Sequence, residues 1–233
     1  MLQQRNHRRS IIMSENKPKQ YYDGIFSSGT ESHWEKAPGK DVILGAIQHY
    51  YANTSFPKNS KLIDIGCGSG FFLNRLHSEV INNDFQLYGV DFSSTAINKG
   101  KKLYPHIKFY CEDGKGTHFD NDEFTVLVSY GTYEHFKNPE MGIKELSRIL
   151  MPGGLFLCMM PTLGIDRTDR DDEGWYEERQ VQGSPIKQMQ WNLKRNTWEQ
   201  YFLECGLNLF PLNEAASFGA KKPGVFFLGN KQK

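Results

Sequence analysis

Residues 62–72 read Leu-Ile-Asp-Ile-Gly-Cys-Gly-Ser-Gly-Phe-Phe, and this stretch decides the fold. A short apolar run containing Asp64 is followed by three glycines at alternate positions, Gly66, Gly68 and Gly70. Apolar residues then recur at the spacing of one helical face. Glycine permits positive φ and lets a ligand touch bare backbone, and the first N–H groups of a helix lack intrahelical partners. The stretch therefore predicts a strand, a glycine-rich turn and a helix that together bind a polar ligand, or else a tight turn without a ligand.

Length and charge bound the class of protein. The chain has 233 residues, with 28 Lys and Arg against 27 Asp and Glu, for a formal net charge of +1. That length fits one α/β domain, which we expect over residues 21–233, preceded by a polar disordered tail over 1–20. The balanced charge gives no electrostatic case for a nucleic-acid partner, and no apolar run reaches the roughly 18 residues of a membrane helix. Translation could also begin at Met13.

The four cysteines, Cys67, Cys111, Cys158 and Cys205, are widely spaced and form no C-x-x-C pair. Neither a zinc site nor a redox motif is indicated, so no metal is expected. The sequence instead predicts free thiols in a reducing compartment, which favours the cytoplasm.

Acidic residues follow the next two predicted strands. The strand over 86–91 ends in Asp91, which lies 21 residues after Gly70, and the strand over 107–111 is followed by Asp113. A carboxylate about 20 residues beyond a glycine-rich turn is placed to accept the hydroxyls of a ribose. Asp91 could alternatively cap the helix that follows it. Because parallel strands end at one edge of a sheet, these acids and Asp64 are expected at a common edge.

The order D-x-G-x-G-x-G from Asp64 to Gly70 resembles motif I of class I methyltransferases that use S-adenosylmethionine. The order helix, L-x-P-G-G and apolar strand around residues 150–160 also resembles this family. The resemblance covers about 60–160 by motifs and 197–229 by element order. It implies an α/β, Rossmann-like, doubly wound sheet of seven mostly parallel strands, with helices on both faces and an antiparallel last strand.

The resemblance also implies the roles of individual residues around S-adenosylmethionine. Asp91 would bind the ribose, Phe92 would pack on the adenine, Asp113 would accept from its amino group, and the Gly114 N–H would reach the ring. The loop over 130–136 would face the reactive methyl group. The residues expected to bind the cofactor are Asp64, Gly66, Gly68, Gly70, Asp91, Phe92, Asp113, Gly114 and Tyr130.

The acceptor side is expected on the later strands. His135 is the candidate general base or substrate contact, with a structural histidine as the alternative. Tyr133, Trp175 and Tyr176 are the expected substrate contacts, the last two within a lid over 161–196. An E-H pair in this loop is common among small-molecule methyltransferases, and the Asn/Asp-Pro-Pro-Tyr of nucleobase-modifying relatives is absent. A small-molecule acceptor is therefore expected.

Two segments leave alternatives open. The window 166–179 holds seven acids and three basic residues, which favours a cationic amine acceptor or is simply a solvated loop. The aromatic segment 21–35 would either fold over the cofactor, as in similar methyltransferases, or pack against the sheet edge.

Three other functions are alternatives to small-molecule methyl transfer. An NAD(P) oxidoreductase is disfavoured because Phe71 stands where the dinucleotide fingerprint has its third glycine. A binding-only relative would keep the motif without turnover, and a nucleic-acid methyltransferase is opposed by charge and motif. The sequence does not indicate which acceptor atom is methylated, nor the oligomeric state.

Overall fold

A computed structural model describes residues 19–31, 39–53, 56–81, 85–161, 173–181, 184–211 and 224–233. Most of the expected N-terminal tail, residues 1–18, lies outside the described residues. The first helix, α1, spans 19–28. The further helices are α2 (Gly39–Asn53), α3 (Phe71–Leu76), α4 (Ser94–Leu103), α5 (Pro139–Ile149) and α6 (Arg195–Glu204), with a π-helical turn at His77–Ile81 and a 3-10 turn at Tyr133–His135.

Nine strands occur in the described part of the chain, and two of them, β6 and β7, were not expected from the sequence. They are β1 (Ser60–Ile65), β2 (Phe85–Asp91), β3 (Lys108–Cys111), β4 (Phe124–Tyr130), β5 (Leu150–Pro161), β6 (Glu173–Val181), β7 (Ser184–Asn192), β8 (Leu207–Leu209) and β9 (Gly224–Lys231).

Seven of these strands form one sheet in the order β3-β2-β1-β4-β5-β9-β8. The pairs from β3 to β5 are parallel, whereas β9 is antiparallel to both β5 and β8. The central strands are near-continuous apolar runs because both faces of the sheet are covered. The predicted fold class, with its antiparallel last strand, is confirmed.

Helices cover both faces of the sheet, and alternate residues of each strand serve different faces. Leu62 packs in a cluster with Ile43 of α2 and Leu73 of α3. Its neighbour Ile63 packs on the other face, in the cluster that contains Trp198 of α6 and the α5 side chains. The carboxyl ends of β1, β2 and β4 therefore open between two packed layers.

The N-termini of three helices can be compared with the local sequence signals. The left-handed Gly70, with φ of 81°, precedes α3, and the Ser93 hydroxyl accepts the Ala96 N–H at 3.1 Å to cap α4. The start of α3 matches the predicted glycine turn followed by a helix. The last helix, α6, begins at Arg195, only three residues after β7 ends at Asn192.

The segment expected to be a lid contains a separate antiparallel hairpin. Strands β6 and β7 pair from Glu173 with Asn192 to Val181 with Ser184. The sequence had indicated only a long irregular connection here. Residues 162–172, which carry much of the expected acidic charge, lie outside the described residues.

Candidate functional site

The glycine-rich turn lies where β1, β2 and β4 meet. The N–H groups of Gly66 and Cys67 both donate to the Val90 carbonyl oxygen, at 2.8 and 3.0 Å. Gly66 has a φ of 81°, and a Cβ there would collide with the side chain of Thr132 in the loop after β4. Glycine is therefore required for both conformation and space. The turn is fixed against the two strands whose ends border it.

Asp91 is tied to this turn at the end of β2. Its Oδ2 accepts the Gly68 N–H at 3.0 Å, and its Oδ1 accepts the Ser93 N–H at 2.8 Å. Burial raises the pKa of Asp91 to about 6, and the two N–H donors oppose that rise. A carboxylate has about four acceptor positions, so capacity remains for further donors. The carboxylate is held ready for ligand hydroxyls, and Ser93, not Asp91, caps α4.

Asp64, the residue before Ile65 at the end of β1, is a second buried acid beside the turn, only 3% exposed. Among the described residues its Oδ1 finds no hydrogen-bond partner. Burial raises its pKa to about 7, the positive charge of Lys40 lowers the pKa, and the charge of Asp91 adds to the rise. A buried carboxyl group whose charged form is destabilised in this way is typical of a ligand site.

Helix α1 closes over the turn. Asp23 accepts the Ser93 hydroxyl at 2.6 Å and the Thr95 N–H at 3.1 Å, which anchors α1 on the start of α4. The Phe26 ring lies against Gly68. Tyr22, also on α1, contacts the ring of Phe92 at the end of β2, with ring centroids 5.1 Å apart. Of the two readings of the aromatic segment, this geometry places residues 19–28 over the site.

The loop after β4 carries the candidate base. His135 is half-buried, and its ring centroid lies 6.1 Å from that of Tyr22 in an edge-on arrangement. Its Nε2 is 3.7 Å from Glu134 Oε1, which is too long for a hydrogen bond and leaves an electrostatic contact. The loop is tied to β1 through the Thr132 and Ser129 hydroxyls, which both donate to the Ile65 carbonyl oxygen.

Glu134 was quoted in the sequence pattern but not selected as a site residue. It is 3% exposed, and burial raises its pKa to about 8. Its Oε2 has no hydrogen-bond partner within the described ranges. Tyr130, at the mouth of the same loop, is half-buried, and burial together with Glu134 raises its pKa. The only available sequence signal for Glu134 was its position beside His135.

Two of the expected site residues, Tyr133 and Asp113, lie away from the glycine turn: one in the core and one on the surface. Tyr133 is 1% exposed and packs edge-on against Phe136 inside the core, so in this conformation it is not a substrate contact. Asp113 follows β3 at the outer side, with its side chain 58% exposed and both oxygens near Lys115 Nζ, at 2.8 and 2.6 Å. Gly114 is buried against Ile65 and Phe136.

The hairpin stands beside the acceptor loop. The Trp191 indole N–H of β7 donates to the Phe136 carbonyl oxygen at 3.2 Å. Trp175 and Tyr176 lie on β6, paired with Gln190 and Met189, and their side chains fall outside what the structure describes. The hairpin therefore adjoins the 130–136 loop.

Other expected features can be placed within the described part of the chain. No cluster of three or more His, Cys, Asp or Glu side chains suited to a metal occurs there. None of the helices described is long and apolar enough to cross a membrane. The four cysteines are free thiols.

Comparison with known proteins bears on this site. Residues 63–158 match a family model described as a methyltransferase domain. A demethylmenaquinone methyltransferase of Staphylococcus epidermidis is 28% identical over 125 residues, covering 51% of each chain. The chain thus spans about half the length of the curated relatives it matches.

Solved structures share the fold. The phosphoethanolamine N-methyltransferase 2 of Haemonchus contortus, solved with phosphomonomethylethanolamine and S-adenosylhomocysteine, has a TM-score of 0.65 at 17% identity, covering 94% of this chain and 59% of that one. A methyltransferase in complex with the Haloferax volcanii Trm112 methyltransferase activator has a TM-score of 0.59 at 18% identity, covering 91% and 98%.

Residues 63–158, which carry the acid-and-glycine turn and most of the first five strands of the sheet, are thus similar to a methyltransferase domain. The sheet has the Rossmann-like fold of the S-adenosylmethionine-dependent methyltransferases among the solved structures.

Proposed function

We propose that this chain transfers the methyl group of S-adenosylmethionine to a small-molecule acceptor bound between the 130–136 loop and the β6–β7 hairpin. The Asp91 contact carries the proposal, because Gly68 and Ser93 hold that half-buried carboxylate beside the glycine turn. With Phe92 next to it, this is a site for a ribose and an adjoining aromatic base.

The chain itself supplies the parts that such a cofactor needs. Asp91 would accept the ribose hydroxyls, Phe92 would pack on the adenine, and the turn would present backbone to the rest of the cofactor. Asp113 remains the proposed adenine acceptor if its exposed side chain exchanges Lys115 for the exocyclic amine. S-adenosylmethionine, when bound, supplies an electrophilic methyl group.

The acceptor half is proposed around His135. In-line placement of a nucleophile provides much of the rate of methyl transfer, and a base is needed only when the nucleophile arrives protonated. His135 borders the Tyr22 ring of α1 and the Glu134 carboxyl, so it lies between the cofactor half and the hairpin. We assign it the role of accepting the acceptor's proton.

The hairpin and its preceding residues are proposed to form the acceptor lid. The Trp191 hydrogen bond joins the hairpin to the acceptor loop, and the acidic window 166–179 would favour a cationic amine. Of the similar proteins, one is named for an amine acceptor and one for a quinone precursor. The free cysteines fit a reducing, cytoplasmic setting.

Radiolabelled methyl transfer tests the proposal. The full chain is incubated with methyl-labelled S-adenosylmethionine and a deproteinised, nuclease-treated metabolite extract, and labelled products and S-adenosylhomocysteine are measured. We expect wild-type turnover, and a loss of about 10²- to 10⁴-fold in His135→Gln with unchanged S-adenosylhomocysteine affinity.

His49→Gln, an exposed histidine on α2, is the matched control and should retain wild-type turnover. Cofactor binding without turnover by the wild type would indicate a binding-only relative. Equal rates in His135→Gln and wild type would remove His135 from the reaction.

A further inference from the structure

The strongest unassigned feature is the buried carboxyl group of Glu134, in the 3-10 turn between β4 and α5. Its side chain is only 5% exposed. Among the basic side chains that the structure describes, His135 alone lies within ion-pair distance of it, with Nε2 3.7 Å from Glu134 Oε1. The other carboxyl oxygen, Oε2, is buried and has no hydrogen-bond partner within the same residues. Methyl transfer as proposed uses the imidazole and leaves this carboxyl group without a role.

The backbone around this pair of side chains is held by hydrogen bonds. The Gly131 N–H donates to the Met159 carbonyl oxygen of β5 at 2.9 Å, and the His135 N–H donates to the Thr132 carbonyl oxygen at 3.0 Å. Glu134 Oε1 lies back over Gly131, where a Cβ would be 3.4 Å from it. The folded loop therefore keeps the carboxyl group and the imidazole close to each other.

The titratable groups around the pair carry no charge near neutral pH. Burial raises the pKa of Tyr130 on β4 and of Cys158 on β5, and the charge of Glu134 contributes to both shifts. From α1, the Tyr22 ring faces the imidazole edge-on. A positive charge on His135 would thus find its opposite charge in Glu134, and an opposite charge within about 4–6 Å favours the charged form of a group.

We propose that Glu134 is a positioning residue for His135: its carboxylate pairs with the imidazolium that forms when His135 takes the acceptor's proton. The inference rests on the proposed function and adds to it a residue that acts through the base. In the transfer, the acceptor's N–H or O–H bond breaks and its proton goes to the imidazole. The electron pair of the acceptor atom forms the new bond to the methyl carbon, and the S–C electron pair remains on sulfur. The positive charge lost by the sulfonium therefore appears on His135, beside Glu134.

Glu134→Gln tests this pairing, because it keeps the size of the side chain and removes its charge. In protein labelled at the histidine imidazoles, titration by nuclear magnetic resonance should show the proton affinity of His135 about tenfold lower in this variant than in wild type. In the labelled-methyl assay, kcat should fall about 10- to 100-fold with an unchanged KM for S-adenosylmethionine. The rising limb of the pH–rate profile should move about one pH unit lower.

Glu134→Asp, which keeps a carboxyl group on a shorter side chain, should restore part of the proton affinity and of the rate. Glu204→Gln, an exposed glutamate at the end of α6, is the matched control and should behave as wild type. An unchanged proton affinity of His135 in Glu134→Gln would overturn the proposal. A loss of transfer with an unmoved pH–rate profile would also overturn it, because it would show a structural role. If wild type transfers no methyl group while the His135 titration shifts as expected, the ion pair stands and the proposed function fails.

Discussion

At the scale of single residues, the site is built from carboxyl groups that the free protein holds at a cost. Asp64, Asp91 and Glu134 are each buried enough for the pKa to rise, to about 7, about 6 and about 8. Buried acids without full hydrogen bonding destabilise the charged form. Their burial at the carboxyl edge of one sheet indicates function, because a ligand cation or hydroxyl would supply the missing partners.

Asp64→Asn should stabilise the ligand-free protein, and by more at pH 8 than at pH 5. Folded Asp64 holds its proton to about pH 7, whereas the unfolded chain loses it near pH 4, so the free energy of unfolding falls as pH rises between those values. Asparagine removes that titration, with a gain of roughly 1–3 kcal/mol at pH 8. Urea unfolding at both pH values measures it.

The exposed Asp120→Asn serves as the control for this measurement and should change the stability little at either pH. A gain that does not depend on pH, or a loss at pH 8, would show that Asp64 is paired and ionised in the folded protein.

At the scale of secondary-structure elements, local signals placed the first half of the sheet well. The apolar runs, the glycine turn and the acid at the end of β2 are set by neighbours in sequence. Strands β2 and β3 accordingly begin within about one residue of the predicted 86–91 and 107–111 and end where predicted. The β6–β7 hairpin was not predicted, since its pairing joins residues as far apart in the sequence as Glu173 and Asn192.

In the candidate site, too, local sequence patterns predicted only the residues that near neighbours in the sequence position. The Gly-rich turn and Asp91 were predictable because the motif fixes them locally. Tyr133 was expected in the cleft, yet packing against Phe136 buries it. Asp23 and Lys40 reach the site from α1 and α2 through tertiary contacts, which no spacing within the motif encodes.

The hairpin should serve the acceptor and not the cofactor. Replacing 173–192 with a short Gly/Ser linker should leave S-adenosylhomocysteine affinity within a few-fold, since Asp91 and the glycine turn lie on other strands. Methyl transfer from the labelled cofactor should be abolished. Trp191→Phe, which removes only the hydrogen bond to the Phe136 carbonyl oxygen, should give an intermediate rate.

Collapse of cofactor affinity in the linker variant would assign the hairpin to the cofactor half instead. Survival of both affinity and transfer would reduce the segment to a surface connection and remove the support for an amine acceptor.

At the scale of the whole molecule, two elements, α1 and the β6–β7 hairpin, lie over the carboxyl edge of the sheet. In the proposed function, the ends of β1 and β2 bind the cofactor and the loop after β4 binds the acceptor, with α1 and the β6–β7 hairpin as the two covers. Both covers contact the 130–136 loop, through Tyr22 on His135 and Trp191 on Phe136. Closure of both covers would exclude water from the transfer step.

The central claim is that the cleft binds S-adenosylmethionine through Asp91 and the glycine turn. Thermal unfolding of the full chain with S-adenosylhomocysteine, and separately with NAD, tests it most directly. Ligand at a hundredfold excess over Kd stabilises a fold by about 2.7 kcal/mol, so a rise in Tm of several degrees is expected. Asp91→Ala and Gly68→Val should lose most of that rise, and NAD should give none. No rise at millimolar S-adenosylhomocysteine, or an equal rise with NAD, would contradict the account.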